Sequence, residues 1–122
     1  IAFSPDERHL YVGNWQDGRK WVLRYPVLTD GRLGPSELFA DLSQAPGEDA
    51  IDGVKLDRAG NVYVSGPGGI WIFAASGKHL GTISTPFHPH NFAWGDADGK
   101  SLYLTARSRL DRLPLLIEGL RP

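Results

Sequence analysis

A short two-strand pattern occurs three times along the chain, and it constrains the fold more than any other feature of the sequence. Each copy contains an apolar segment, a turn with Asp or Gly, and a second apolar segment with a tyrosine. The first segments lie near 1–4, 54–57 and 92–95, and the tyrosines of the second segments are Tyr11, Tyr63 and Tyr103. Two apolar segments joined by such a turn are typical of a β-hairpin. Hairpins that repeat every 40 to 52 residues are typical of the blades of a β-propeller.

Further strands are predicted after each hairpin. Apolar segments at 21–25, 70–73 and 109–113 predict a third strand in every unit, and turn sequences then lead to outer strands near 37–41 and 79–84. The third unit has no clear fourth strand, because Pro114 and Gly119 interrupt what remains. In closed propellers an N-terminal strand often completes the last blade, and we expect this of the parent protein.

The repeat predicts an all-β fold, a partial β-propeller of about three blades at approximately 1–45, 46–88 and 89–122. The alternative is a β-sandwich, which gives no reason for one hairpin sequence to occur three times. Closed propellers have at least about four blades, and Ile1 already lies within a predicted strand. We therefore expect the N-terminal blades of a longer protein to be missing from this chain.

Composition excludes several classes of function. The formal net charge of −1 gives no electrostatic surface for nucleic acid or an anionic membrane. No apolar run approaches the roughly 18 residues of a membrane-spanning helix. The chain has no cysteine, so any metal must be held by oxygen or imidazole ligands.

Two side chains are predicted to meet at one mouth of the central channel. The inner strand of each propeller blade lines this channel. Asp52 and His90 each stand two residues before the first residue of a predicted inner strand, Val54 and Phe92. A carboxylate and an imidazole on neighbouring blades suit a metal or acid–base site. The alternatives are an ordinary Asp-Gly turn at Asp52 and a loop role for His90. Glu48 and Asp49 extend an acidic cluster that could concentrate a cation, or they belong to a plain exposed loop.

The chain resembles the gluconolactonase/regucalcin-like family, also called the senescence marker protein family. The resemblance is carried by IAFSPDERHLYVGN from residue 1, PGEDAIDGVKLDRAGNVYVS from residue 46, the following GPGGIWIF and SGKHLGTI, and HNFAWGDADGKSLYLTARSRLDRL from residue 90. It covers almost the whole chain, and the segment from His88 is most similar to bacterial gluconolactonases.

The resemblance implies a six-bladed propeller with one catalytic divalent cation held by a Glu, an Asn and an Asp. The Asp corresponds to Asp52, which is thereby predicted to be the metal ligand and the general base. The family's Glu and Asn have no counterpart in this chain. His90 stands where many members carry Thr, next to the commonly found Asn91, and we predict that both contact the substrate.

The implied activity is the hydrolysis of a sugar lactone such as gluconolactone. The cation polarises the lactone carbonyl, and Asp52 accepts a proton from the attacking water. The resemblance favours calcium, with magnesium, zinc or manganese as alternatives. A non-catalytic binding scaffold, or the same fold acting on another lactone or an organophosphate ester, are the other hypotheses. We expect the chain alone to be inactive, and the compartment stays open between cytoplasm and periplasm or exterior.

Overall fold

Three antiparallel sheets follow one another along the chain in the computed structural model, which describes residues 1–16, 18–47 and 50–121. The first sheet has the order β1-β2-β3-β4, with strands at Ala2–Phe3, His9–Gly13, Trp21–Pro26 and Glu37–Asp41. The second has the order β5-β6-β7-β8, with strands at Val54–Leu56, Val62–Gly66, Gly69–Phe73 and His79–Ser84. The third has the order β11-β10-β9, with strands at Asn91–Gly95, Ser101–Ala106 and Arg109–Pro114 for β9, β10 and β11.

The described residues contain strands and turns but no helix, which confirms the all-β prediction. The predicted inner, third and outer strands all lie within about two residues of the observed ones. The third sheet ends with β11, and residues 115–118 add no fourth strand to it, as predicted. The proposed limits of the three blades stay a prediction. Among the described residues, no helix is long and apolar enough to cross a membrane.

Two apolar cores lie between neighbouring sheets. Both include side chains of strand β6, because successive side chains of a strand point to opposite faces of the sheet. Val62 and Val64 belong to the core shared with the first sheet, where Tyr11 and Phe39 are also buried. Tyr63, between them in sequence, points to the opposite face and packs in the core shared with the third sheet. The second sheet is therefore covered on both faces, which accounts for a strand without a single exposed residue.

The β5–β6 turn is built around a buried carboxylate. Asp57 is 0% exposed and accepts hydrogen bonds from the Asn61 backbone N–H at 2.9 Å, the Asn61 Nδ2 at 2.7 Å and the Tyr63 hydroxyl at 3.2 Å. Burial, and secondarily the Asp57 carboxylate, raise the pKa of Tyr63. Asp6 and Asp98 lie in exposed turns instead, where each accepts the backbone N–H two residues further on.

Residues 115–121, here called the closing segment, return from the third sheet to the second. The Arg58 N–H donates to the Glu118 carbonyl at 2.9 Å, and the Leu120 N–H donates to the Leu56 carbonyl at 2.9 Å. Between them, Gly119 lies flat against Trp94, where an added Cβ would come within 1.8 Å of the indole Cγ. Only glycine fits this contact, so the closing segment fastens the second and third sheets together.

Candidate functional site

The inner strands of the three sheets begin at one end of the molecule. Strand β1 neighbours β5, and β5 neighbours β9.

Asp52 and His90 face each other at this end, across two sheets. The Asp52 Oδ2 atom lies 3.6 Å from the His90 Nδ1 atom, and the two side chains are 37% and 47% exposed. The separation is longer than a hydrogen bond between these atoms. The structure thus brings together the two side chains that the repeat placed at one channel mouth, with a gap between them that solvent can reach.

A buried hydroxyl joins the backbones that carry these two residues. Ser65, on β6, is fully buried, and its Oγ accepts the Gly53 N–H at 2.6 Å and donates to the His90 carbonyl at 3.1 Å. The Gly53 N–H also lies 2.9 Å from the same His90 carbonyl, and the Asp52 N–H donates to the Ser65 carbonyl at 3.3 Å. These bonds fix the loop before β5 against the loop before β9.

The close approach of the two loops also explains the glycine that follows Asp52. A Cβ at Gly53 would lie 2.9 Å from the Asn91 Oδ1 and 3.1 Å from the His90 carbonyl oxygen. The Asp-Gly pair is therefore needed for packing between sheets, and it is not an ordinary turn. Sequence reasoning missed the part played by Ser65, although a serine at the end of an apolar strand was a signal for a buried hydrogen bond.

Asn91 lies beside Gly53, and its side-chain oxygen already accepts a hydrogen bond. Its Oδ1 accepts the Phe92 N–H at 2.9 Å, and its backbone carbonyl accepts the Thr105 hydroxyl at 3.1 Å. The side chain is exposed, so its predicted contact with a substrate stays a prediction.

The donor atoms at this site fit a divalent cation. A carboxylate and an imidazole, both exposed and held by rigid backbone, are ligand types that divalent metals use. Within the described ranges, no group of three or more His, Asp or Glu side chains is arranged for a metal ion. Asp52 and His90 can therefore form part of a coordination shell, while Glu48 and Asp49 lie outside the described residues.

Antiparallel sheets of up to four strands that follow one another along the chain define the class of β-propeller proteins. Residues 1–108 match the family model described as SMP-30/Gluconolactonase/LRE-like region, and the chain belongs to this family. This confirms the resemblance seen in the sequence. A gluconolactonase of Zymomonas mobilis is 32% identical over 119 residues, which are 93% of this chain and 33% of that protein.

Solved structures of similar proteins show the same fold. A gluconolactonase of Xanthomonas campestris superposes with a TM-score of 0.80 at 32% identity, over 93% of this chain and 36% of that protein. A calcium-binding regucalcin of Agrobacterium tumefaciens superposes with a TM-score of 0.76 at 26% identity, over 98% of this chain and 45% of that protein. The chain thus spans about a third to a half of these relatives, and the prediction of a partial β-propeller is confirmed.

Proposed function

We propose that this chain carries part of the active site of a metal-dependent sugar-lactone hydrolase, within a longer propeller that supplies the other blades. The observation that supports this most directly is the half-exposed Asp52 carboxylate, fixed at the start of an inner strand beside His90. The gluconolactonases among its relatives support the same reaction. The substrate class is an aldonolactone such as gluconolactone.

In the proposed mechanism, Asp52 binds the divalent cation and serves as the general base. The cation, when bound, supplies a Lewis acid for the lactone carbonyl. A water molecule attacks the carbonyl carbon, and Asp52 accepts the proton that it loses. The bond from the carbonyl carbon to the ring oxygen then breaks, and the ring oxygen takes up the proton held by Asp52. The product is an open-chain hydroxy acid, and the Asp52 carboxylate is restored. His90 and Asn91 border the space in which the sugar hydroxyls would lie.

The metal is proposed on the basis of the relatives and the donor atoms. The calcium-binding regucalcin favours calcium, and magnesium, zinc and manganese are the alternatives. Asp52 supplies a hard carboxylate oxygen that suits all four ions. The remaining ligands would come from the part of the propeller beyond this chain.

The test is Asp52→Asn in a full-length protein that contains this chain. The variant keeps the side-chain volume and one oxygen ligand but loses the charge and the base, so gluconolactone turnover should fall about 100-fold or more. Asp98→Asn is the matched control, because Asp98 lies in an exposed turn and accepts the Lys100 N–H, and it should retain near-normal turnover.

Retention of most activity by the Asp52 variant would show that the base lies elsewhere. Absence of turnover in the unmodified full-length protein, on aldonolactones and on other lactones or an organophosphate ester, would instead favour a non-catalytic propeller.

A further inference from the structure

We propose that His90 is itself a metal ligand, paired with Asp52, and that it makes this site select borderline ions such as Zn²⁺ over Ca²⁺. This inference rests on the proposed function, because it concerns the cation of that active site. It assigns to His90 a role different from the predicted contact with substrate, and it departs from calcium, the ion that the regucalcin relative favours. It follows from the distances and hydrogen bonds of the described residues.

The separation of the two donor atoms suits one shared ion. Zinc binds imidazole nitrogen and carboxylate oxygen at about 2.0–2.2 Å, so two such ligands on one ion lie at most about 4.3 Å apart and about 3.3 Å apart in tetrahedral geometry. The 3.6 Å between the Asp52 Oδ2 and the His90 Nδ1 falls within this range. It is also too long for a direct hydrogen bond, which would otherwise explain why the side chains face each other.

The hydrogen bonds among Gly53, Ser65 and the His90 carbonyl keep Asp52 and His90 in place without a metal. The Ser65 hydroxyl and the Gly53 N–H both bond to the His90 carbonyl, and the Asp52 N–H bonds to the Ser65 carbonyl. Because the backbones of both ligands are fixed to the same buried strand, little conformational freedom is lost when an ion binds. A loop histidine with no such anchor would lose much more.

The chemistry of the imidazole decides which ion is preferred. Calcium takes six to eight oxygen ligands, and a nitrogen donor adds little to its binding. Imidazole suits zinc and other transition ions, for which affinities also follow the Irving–Williams order. A threonine at position 90 would offer only an oxygen. His90 therefore changes the preferred ion class.

The experiment uses a full-length protein that contains this chain and follows the His90 ring and the Gly53 amide by nuclear magnetic resonance during titration with Zn²⁺ or Ca²⁺ at one fixed pH. We expect Zn²⁺ to give saturable shifts at both groups and to bind at least about tenfold more tightly than Ca²⁺. His90→Gln and Asp52→Asn should each weaken Zn²⁺ binding at least about tenfold, followed at the Gly53 amide. Ca²⁺ binding should be unchanged in His90→Gln, which retains an oxygen donor.

His79→Gln is the matched control, because the His79 imidazole is exposed on strand β8 and bonded to Thr82 at 3.0 Å. It should leave the Zn²⁺ titration of His90 unaltered, and circular dichroism should show that all three variants keep their strands. Zn²⁺ binding that is insensitive to His90→Gln, Ca²⁺ binding as tight as Zn²⁺ binding, or no saturable Zn²⁺ shift at His90 would each overturn the inference. These outcomes leave the proposed hydrolase untouched, since that is decided by turnover of the full-length Asp52 variant.

Discussion

Asp52 and Asp57 stand five residues apart in the sequence and lie in opposite surroundings. The Asp52 side chain is 37% exposed beside an imidazole, whereas Asp57 is completely buried and surrounded by hydrogen-bond donors from Asn61 and Tyr63. A buried carboxylate is stable only with such donors. We therefore assign Asp57 to the stability of the second sheet, and the exposure of Asp52 is consistent with its proposed role in the chemistry.

Tyr63 makes this stability sensitive to alkaline pH. Its raised pKa means that the folded protein keeps the phenol neutral at a pH where an unfolded chain ionises it, near pH 10. The stabilisation is complete below about pH 10 and is lost above it, by up to about 1.4 kcal/mol for each pH unit. Urea unfolding between pH 8 and pH 11, followed by circular dichroism, should show this decline and a shallower one in Tyr63→Phe.

Tyr25→Phe is the comparison for this measurement, since Tyr25 lies on strand β3, away from the Asp57 carboxylate. This comparison variant should keep most of the decline in the free energy of unfolding at alkaline pH. Identical declines in the wild type and in Tyr63→Phe would show that other groups cause the effect.

For single residues, the sequence predicted that Asp52 and His90 lie close together, but it did not predict the hydrogen bonds that fix their backbones. The repeat register places Asp52 and His90 at equivalent positions before two inner strands, and neighbouring inner strands must lie close in a propeller. The Ser65 bonds could not be foreseen, because they depend on the distance between loops of different sheets. The hydrogen bond from the Phe92 N–H to the Asn91 side chain could not be predicted either, because the side chain of an asparagine in a loop has several possible partners.

The strands themselves are the part of the fold that the sequence predicted best. Segments such as Val62–Gly66 and Gly69–Phe73 combine β-branched or aromatic residues with a glycine turn, and they form the hairpin β6–β7. The closing segment was not predicted, because its role comes from the flat contact of Gly119 with Trp94, which is distant in sequence. Residues 115–117 of this segment form no strand.

Strand β11 is an edge of the third sheet, and we expect it to cause self-association of the 122-residue chain. Leu110 on this edge is 69% exposed, and the strand can pair with an added strand. Leu110→Lys should weaken association at least about tenfold in sedimentation experiments, because a charge on an edge strand opposes pairing. Leu116→Lys is the control, since Leu116 is 92% exposed but lies outside any strand. An equal effect of both variants would point to general hydrophobic association.

The molecule as a whole depends on contacts between neighbouring sheets, as repeat architectures do. One core joins the first and second sheets and the other joins the second and third, while the closing segment adds a backbone connection to the latter pair. Loss of that connection should therefore affect the third sheet more than the first.

Gly119→Ala tests this connection. The new methyl group would collide with the Trp94 ring, so the free energy of unfolding should fall by about 1–3 kcal/mol or more in chemical denaturation. Trp94 should also become more accessible to a fluorescence quencher, provided that Trp15, Trp21 and Trp71 are replaced first. Leu116→Ala, in the same segment, should change stability by no more than about 0.5 kcal/mol. A Gly119 variant as stable as Leu116→Ala would show that the segment is only loosely attached.

The closing segment also sets an order of events during synthesis. Strands β5 to β8 leave the ribosome well before residues 118–120, yet the Leu56 carbonyl and the Arg58 N–H find their partners only in those residues. Contacts of such long sequence separation form late in folding. The sheet made in the middle of the chain is therefore the last to be completed, and a nascent chain that stalls before residue 118 exposes the Trp94 ring and an unfinished edge to chaperones.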